Sequence, residues 1–166
     1  YITAMLYGSL TAGKKYYVSV QYAKTINSRY SINHLGMAFS NSLVYNSNPV
    51  SGGVFIPSIT PNISNAPGTQ LNNTSWALMG GCYDATGYEQ YITYGNFFSA
   101  ANTTFSLTNP SGSLIPSNYF FDDFRITPLA LNVTASNTIC LGSSKTLTTS
   151  LICGLPNGVT PTFSWS

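Results

Sequence analysis

The groups that could do chemistry in this 166-residue chain are few: four carboxylates, one imidazole and three thiols. The carboxylates are Asp84, Glu89, Asp122 and Asp123; the imidazole is His34; the thiols are Cys82, Cys140 and Cys153. Glycoside hydrolysis needs two carboxyl groups facing each other across a sugar ring. Asp122 and Asp123 are adjacent, and successive residues of a strand point to opposite faces, so they cannot form that pair. Asp84 with Glu89 is the remaining combination. No Ser-His-Asp arrangement can be built around His34 from spacing, and Cys82 with His34 does not make a zinc site. The sequence therefore predicts a protein that is not an enzyme.

Half of the carboxylates lie in one apolar stretch, "NYFFDDFRI" at 118–126. Strict alternation places Phe120, Asp122, Phe124 and Ile126 on one face, and that face reads as core. A lone carboxylate there costs several kcal/mol unless it is ion-paired, hydrogen-bonded or metal-bound. Asp122 is thus expected to be buried with a partner: backbone N–H groups, Arg125 or Lys15, or a cation. Asp123, on the opposite face, is expected to be a solvated partner for Arg125. Glu89, in "GYEQY", reads either as a ligand contact or as a hydrogen-bond acceptor at the start of a strand. The spacing of Cys140 and Cys153 suits a disulfide between neighbouring strands in an oxidising compartment, with Cys82 left over as a buried free thiol.

The elements that would position these groups follow a period of two. In "KKYYVSVQYAK" Tyr16, Val18, Val20 and Tyr22 share a face, and in "HLGMAFS" Leu35, Met37 and Phe39 do the same. "SWALMGGCYDA", "EQYITYGNFF" and the opening "YITAMLYGSL" are also strand-like. Turn chemistry separates them, as in "LTAGKK", "DATGYE" and "TNPSGS". No amphipathic helix is apparent, so the chain reads as an all-β antiparallel sandwich or jelly roll. After Pro128 the aromatics vanish until Phe163, which sets an expected boundary between residues 1–128 and a shorter module at 129–166. That second piece is too short to be an independent sandwich.

Composition narrows the function. Hydrophobic residues make up 43% and charged residues only 6%, against about 25% charged in an ordinary soluble domain. A surface made polar by Ser, Thr, Asn and Gly suits a secreted or cell-surface protein. The net charge of +2 is scattered, leaving no basic patch for nucleic acid. No apolar run reaches the roughly 18 residues needed to span a bilayer, so no transmembrane segment is predicted. The opening residues lack a charged leader, and the chain reads as a mature fragment that starts partway along a strand.

Several segments resemble a known group of proteins. "LTAGKKYYVSVQYA", "SRYSINHLGMAFS", "GGCYDATGYEQYITYGNFF" and "NYFFDDFRI" are similar, over residues 1 to about 127, to the carbohydrate-binding-module-like jelly-roll domain of secreted Bacteroidota surface proteins of the gliding-motility and adhesin type. The tail, with Cys140 to Gly142, Thr146 to Thr148, Cys153 and Trp165 to Ser166, resembles the start of an Ig-like or PKD-like repeat. The resemblance implies a jelly roll lacking its N-terminal strand or strands, followed by a partial Ig-like module. It implies an extracellular adhesion module that recognises polysaccharide or a surface glycan. It also implies a structural Ca²⁺, with Asp122 of the last strand as one ligand.

Sugar recognition needs aromatic rings to stack on a pyranose and amides or hydroxyls beside them. Tyr30, Tyr88, Tyr91, Tyr94 and Trp76 are the candidate rings; Arg29, Asn33, His34 and Asn96 are the polar neighbours. The cluster Arg29, Tyr30, Asn33 and His34 in "NSRYSINH", together with Tyr88, is the expected ligand site. A fibre subunit completed by a strand from a neighbouring copy is the rival expectation, since an incomplete sandwich has open edges.

Overall fold

The computed structural model describes residues 1–44, 59–98, 100–115, 117–129 and 153. Among the described residues all regular structure but one 3₁₀ turn is β. The strands are β1 (Ile2–Met5), β2 (Lys15–Lys24), β3 (Tyr30–Ile32), β4 (Gly36–Ser40), β5 (Ile63–Ser64), β6 (Ala77–Asp84), β7 (Tyr91–Gly95), β8 (Phe105–Leu107) and β9 (Tyr119–Pro128). They form a four-stranded sheet in the order β1-β7-β4-β5, a three-stranded sheet in the order β6-β2-β9, and a β3-β8 ribbon. Every strand pairing is antiparallel.

The two larger sheets share one core, as a β-sandwich does. Tyr16, Val18, Val20 and Tyr22 of β2 point inward with Met79 of β6 and meet Met37 and Phe39 of β4, Ile63 of β5, and Ile92 and Tyr94 of β7. The period-two expectation for β2 and β4 holds because both strands are central in their sheets, where one face must meet the opposite sheet. One flank is sealed where β5 meets β6. A Cβ at Gly81 would come within 2.9 Å of the Ile63 side chain, so the glycine lets the two strands approach. On the other flank β1 and β9 each pair on one side only among the described residues, and the Tyr94 ring between them meets Phe121 at 4.5 Å and Phe124 at 5.9 Å.

The alternation expected for "NYFFDDFRI" is broken by a β-bulge. Gln21 pairs with Asp122 and Ser19 with Arg125, so Asp123 and Phe124 together stand opposite Val20 alone. Asp123 takes the left-handed conformation, φ 53°, which Asp tolerates better than most side chains. The extra residue inverts the parity of the strand. Tyr119 and Phe121 pack on the core before the bulge and Ile126 after it, while Phe120 and Asp122 turn outward. The expectation of an inward Asp122 is therefore corrected: it is exposed. Tyr119 anchors this strand, donating its hydroxyl to Leu71 O (2.7 Å) and accepting the Ile32 N–H (2.9 Å).

The disulfide also differs from expectation. Cys153 is bonded to Cys82 of β6, with Cα atoms 5.7 Å apart, so Cys140 is not its partner. Cys82 is therefore a bridge residue and not a free thiol. Cys140 and the remainder of 130–166, where an Ig-like module was expected, lie outside the described residues.

Candidate functional site

The turn from β6 to β7 is built around Glu89, which is 3% exposed. Its Oε1 accepts the Tyr83 hydroxyl (2.7 Å), the Thr86 N–H (2.6 Å) and the Thr86 hydroxyl (2.7 Å), and its Oε2 accepts the Gly87 N–H (2.9 Å). Gly87 closes the turn at φ 88°. Burial alone would raise the Glu89 carboxyl, but the donors from Thr86 and Tyr83 outweigh it and bring the pKa down to about 2. For Tyr83, burial and then the adjacent carboxylate push the phenol well above its ordinary value. Glu89 is an ionised clamp whose acceptors are already engaged, in line with the hydrogen-bonding alternative of its two sequence readings.

The clamp fixes the residue before it. Tyr88 is thrown outward, 75% exposed, above a cleft of 510 Å³. Phe39 and Tyr83, stacked at 4.2 Å, contribute an aromatic surface to this cleft, and Ser40, Asn41, Ser42 and Thr86 add amide and hydroxyl groups. An exposed ring beside amide and hydroxyl groups can receive a sugar or another small polar ligand.

The other predicted ligand residues do not join Tyr88; none of them lines the cleft. Asn33 is buried and engaged internally, its Oδ1 accepting the Thr104 N–H (2.7 Å) and its carbonyl the Asn65 side-chain amide (2.7 Å). His34 stacks on Phe98 at 4.1 Å. Tyr30 is half-buried in β3 opposite Leu107. Arg29 has its backbone fixed to Leu114, Thr108 and Asn109, and its Nε is buried without a hydrogen-bond partner among the described residues. The "NSRYSINH" segment thus secures the β3-β8 ribbon, and of the expected set Tyr88 is the residue that lines this cleft. Among the other candidate rings Tyr94 is core and Trp76 is exposed.

No protein-family model, curated protein or solved structure matches this chain.

Its carboxylates are dispersed. Asp84 pairs with Lys15 at 2.8 Å across β6 and β2, and Asp123 pairs with Arg125 Nε at 2.7 Å. Asp122 Oδ1 accepts the Asp123 N–H. Among the described residues no three His, Cys, Asp or Glu side chains gather as a metal site would require. The Ca²⁺ expected at Asp122 came from the resemblance; the burial that would have required a partner for this carboxylate is absent, since Asp122 is exposed. Among the described residues no helix is long and apolar enough to cross a membrane.

The cleft residues Ser40, Asn41, Ser42 and Thr86 were not foreseen. They are ordinary polar residues at the ends of β4 and β6, and only the fold brings them together. Glu89 carried the available signal, since a single acid among tyrosines in a glycine-containing turn implies a carboxylate bound to backbone N–H groups.

Proposed function

We propose that this protein is a non-catalytic extracellular binding module that recognises polysaccharide or a glycan-bearing surface. The observation that carries this reading is the exposed Tyr88 ring, held by the Glu89 clamp beside Ser40, Asn41, Ser42 and Thr86. The low charge of the chain and the Cys82–Cys153 disulfide support an oxidising, extracellular setting. A glycan array probed with the wild-type chain and with Tyr88→Ala tests it. Signals on a defined set of polysaccharides, lost in the variant, are expected; a uniformly flat wild-type array overturns the reading.

A second reading is a structural subunit of an extracellular fibre, completed by a strand from a neighbouring copy. It is favoured by the flank between β1 and β9, where a cavity of 150 Å³ is lined by Ile2, Ala4, Ile92, Tyr94 and Phe124. Two strand edges bordering an apolar slot suit an added strand. Sedimentation across a concentration series tests it. Assembly that Phe124→Asp abolishes supports the fibre, and a monomer at every concentration rules it out.

A further inference from the structure

A second concavity lies at the end of the sandwich where β1 starts, β7 ends and β9 begins. It has a volume of 520 Å³ and shares no lining residue with the Tyr88 cleft. Part of its lining is apolar and nearly closed to solvent, with Leu35 3% and Tyr94 2% exposed, whereas Ile2 is 48% exposed. The cavity is thus a pit with a buried floor and an open mouth. Tyr119 and Phe121 of β9 line it with two rings 6.3 Å apart and inclined by only 20°, and Phe121 meets Tyr94 at 4.5 Å. Tyr119 is held in place by the bonds of its hydroxyl to Leu71 and Ile32.

Thr25, Asn96 and Asn118 bring polar groups to the lining. The Asn96 side chain is spent within the fold, its Oδ1 accepting the Phe98 N–H (3.0 Å) and its amide donating to the Thr103 hydroxyl (2.9 Å). Thr25 and Asn118 are knit together through their backbones. The Thr25 N–H donates to the Asn118 carbonyl (2.9 Å), and the Asn118 N–H donates to Ser28 Oγ (2.9 Å). The buried Lys24 ammonium secures the same turn by donating to Ser28 O (2.8 Å) and Thr25 O (3.4 Å). Among the described residues, neither the Thr25 hydroxyl nor the Asn118 side-chain amide takes part in a hydrogen bond. Two groups that can donate and accept are therefore fixed at the lining and left unused.

We propose that this pit receives the terminal residue of a neutral glycan chain, as a site additional to the Tyr88 cleft. This deepens the polysaccharide reading and rests on it. The lining selects the ligand class. No lining residue carries a charged side chain, and Lys24, spent on carbonyls, is not among them. An acidic sugar would give up hydration there without gaining a counter-ion. A neutral sugar uses both parts of the lining, its C–H face against the rings and its hydroxyls against Thr25 and Asn118. A buried floor admits a ring from one side only. That favours a chain end over an internal residue, whose two linkages both need a way out.

The test is a glycan array probed with the wild-type chain, Tyr88→Ala, Thr25→Val and Asn118→Ala over a range of concentrations. The expected result is a set of bound glycans that share a neutral terminal residue and are kept by Tyr88→Ala. Thr25→Val or Asn118→Ala should weaken that set by about three- to tenfold, the loss of one net hydrogen bond. Neither side chain bonds within the described fold, so both variants should melt with wild type, and one that does suffices for the test. If every bound glycan is lost with Tyr88→Ala and none weakens with Thr25→Val or Asn118→Ala, the pit is overturned and the broader reading stands. Glycans that depend on the pit residues but share only an internal residue or an acidic terminus also overturn it. A flat wild-type array removes both.

Discussion

Asp122 accepts the backbone N–H of the residue that follows it, Asp123, at 2.7 Å, and through that contact two acidic residues shape a bulge in the closing strand. The bulge, not a buried charge, explains why a chain with so few carboxylates has two side by side. Its left-handed residue sets a first expectation. Asp123→Asn or Asp123→Gly should be nearly neutral, whereas Asp123→Val should destabilise by about 1–2 kcal/mol, because a β-branched side chain clashes at positive φ. Urea denaturation of the three variants checks this; a valine variant as stable as wild type would remove the bulge from the account.

Glu89 makes the fold acid-sensitive. Its folded pKa lies below the ordinary value of 4.5, at about 2, so its contribution is fully present above pH 4.5 and is lost as pH falls towards 2. The contribution is roughly 3 kcal/mol. Wild type should lose stability steeply between pH 5 and 2 (about the window set by the two pKa values), whereas Glu89→Gln, already weaker at neutral pH, should show a flatter profile. Denaturant midpoints across that range would show parallel curves if the clamp contributes nothing.

Buried phenols predict the opposite limb. Burial raises Tyr83 and Tyr94, and it pushes Tyr119 up to about 12 from 10.0. A raised folded pKa means that the stabilisation is intact below pH 10 and fades as pH climbs towards 12. Tyr119→Phe should soften that alkaline loss while also costing about 1–2 kcal/mol at neutral pH, since the Leu71 carbonyl and Ile32 N–H lose their partner. Unfolding followed by far-ultraviolet circular dichroism from pH 9 upward is the measurement.

The covalent bridge closes a long loop. Cys82 and Cys153 are 71 residues apart, and a loop of that length corresponds to roughly 4 kcal/mol of denatured-state entropy. A non-reducing peptide map should recover the Cys82–Cys153 peptide, and Cys82→Ala should lower the denaturation midpoint to that of the reduced chain. Recovery of a Cys140–Cys153 peptide instead would restore the pairing first expected from spacing.

Strands β2 and β4 were legible in the sequence because each is flanked by strands on both sides and keeps a single phase. Val18, Val20 and Met37, all nearly inaccessible, sit where alternation puts them. The phase of β9 was not legible, because an inserted residue reverses parity without altering composition. The hint was chemical: consecutive aspartates favour turns and left-handed positions and are poor strand formers. The expected site failed for a different reason. Arg29, Tyr30, Asn33 and His34 are close in sequence, but a three-residue strand needs its polar neighbours to hold it, and Asn33 is consumed in that role. Tyr88 was identifiable as a ring beside a lone acid; its cleft was not, since the lining comes from the ends of separate strands. With three cysteines three pairings are possible, and spacing favoured the local one over the long-range bond that formed.

The Cys82–Cys153 bridge also fixes how the molecule bears load. A pull on the chain beyond Cys153 enters the sandwich at β6 through a covalent bond, by-passing β7, β8 and β9. Those strands, with the bulge and the Glu89 turn, lie inside the closed loop and cannot be drawn out from that end. The separation of 71 residues represents roughly 240 Å of hidden contour length at about 3.4 Å per residue, released only when the bridge is reduced. Tension and redox state are thereby coupled at a single sulfur pair.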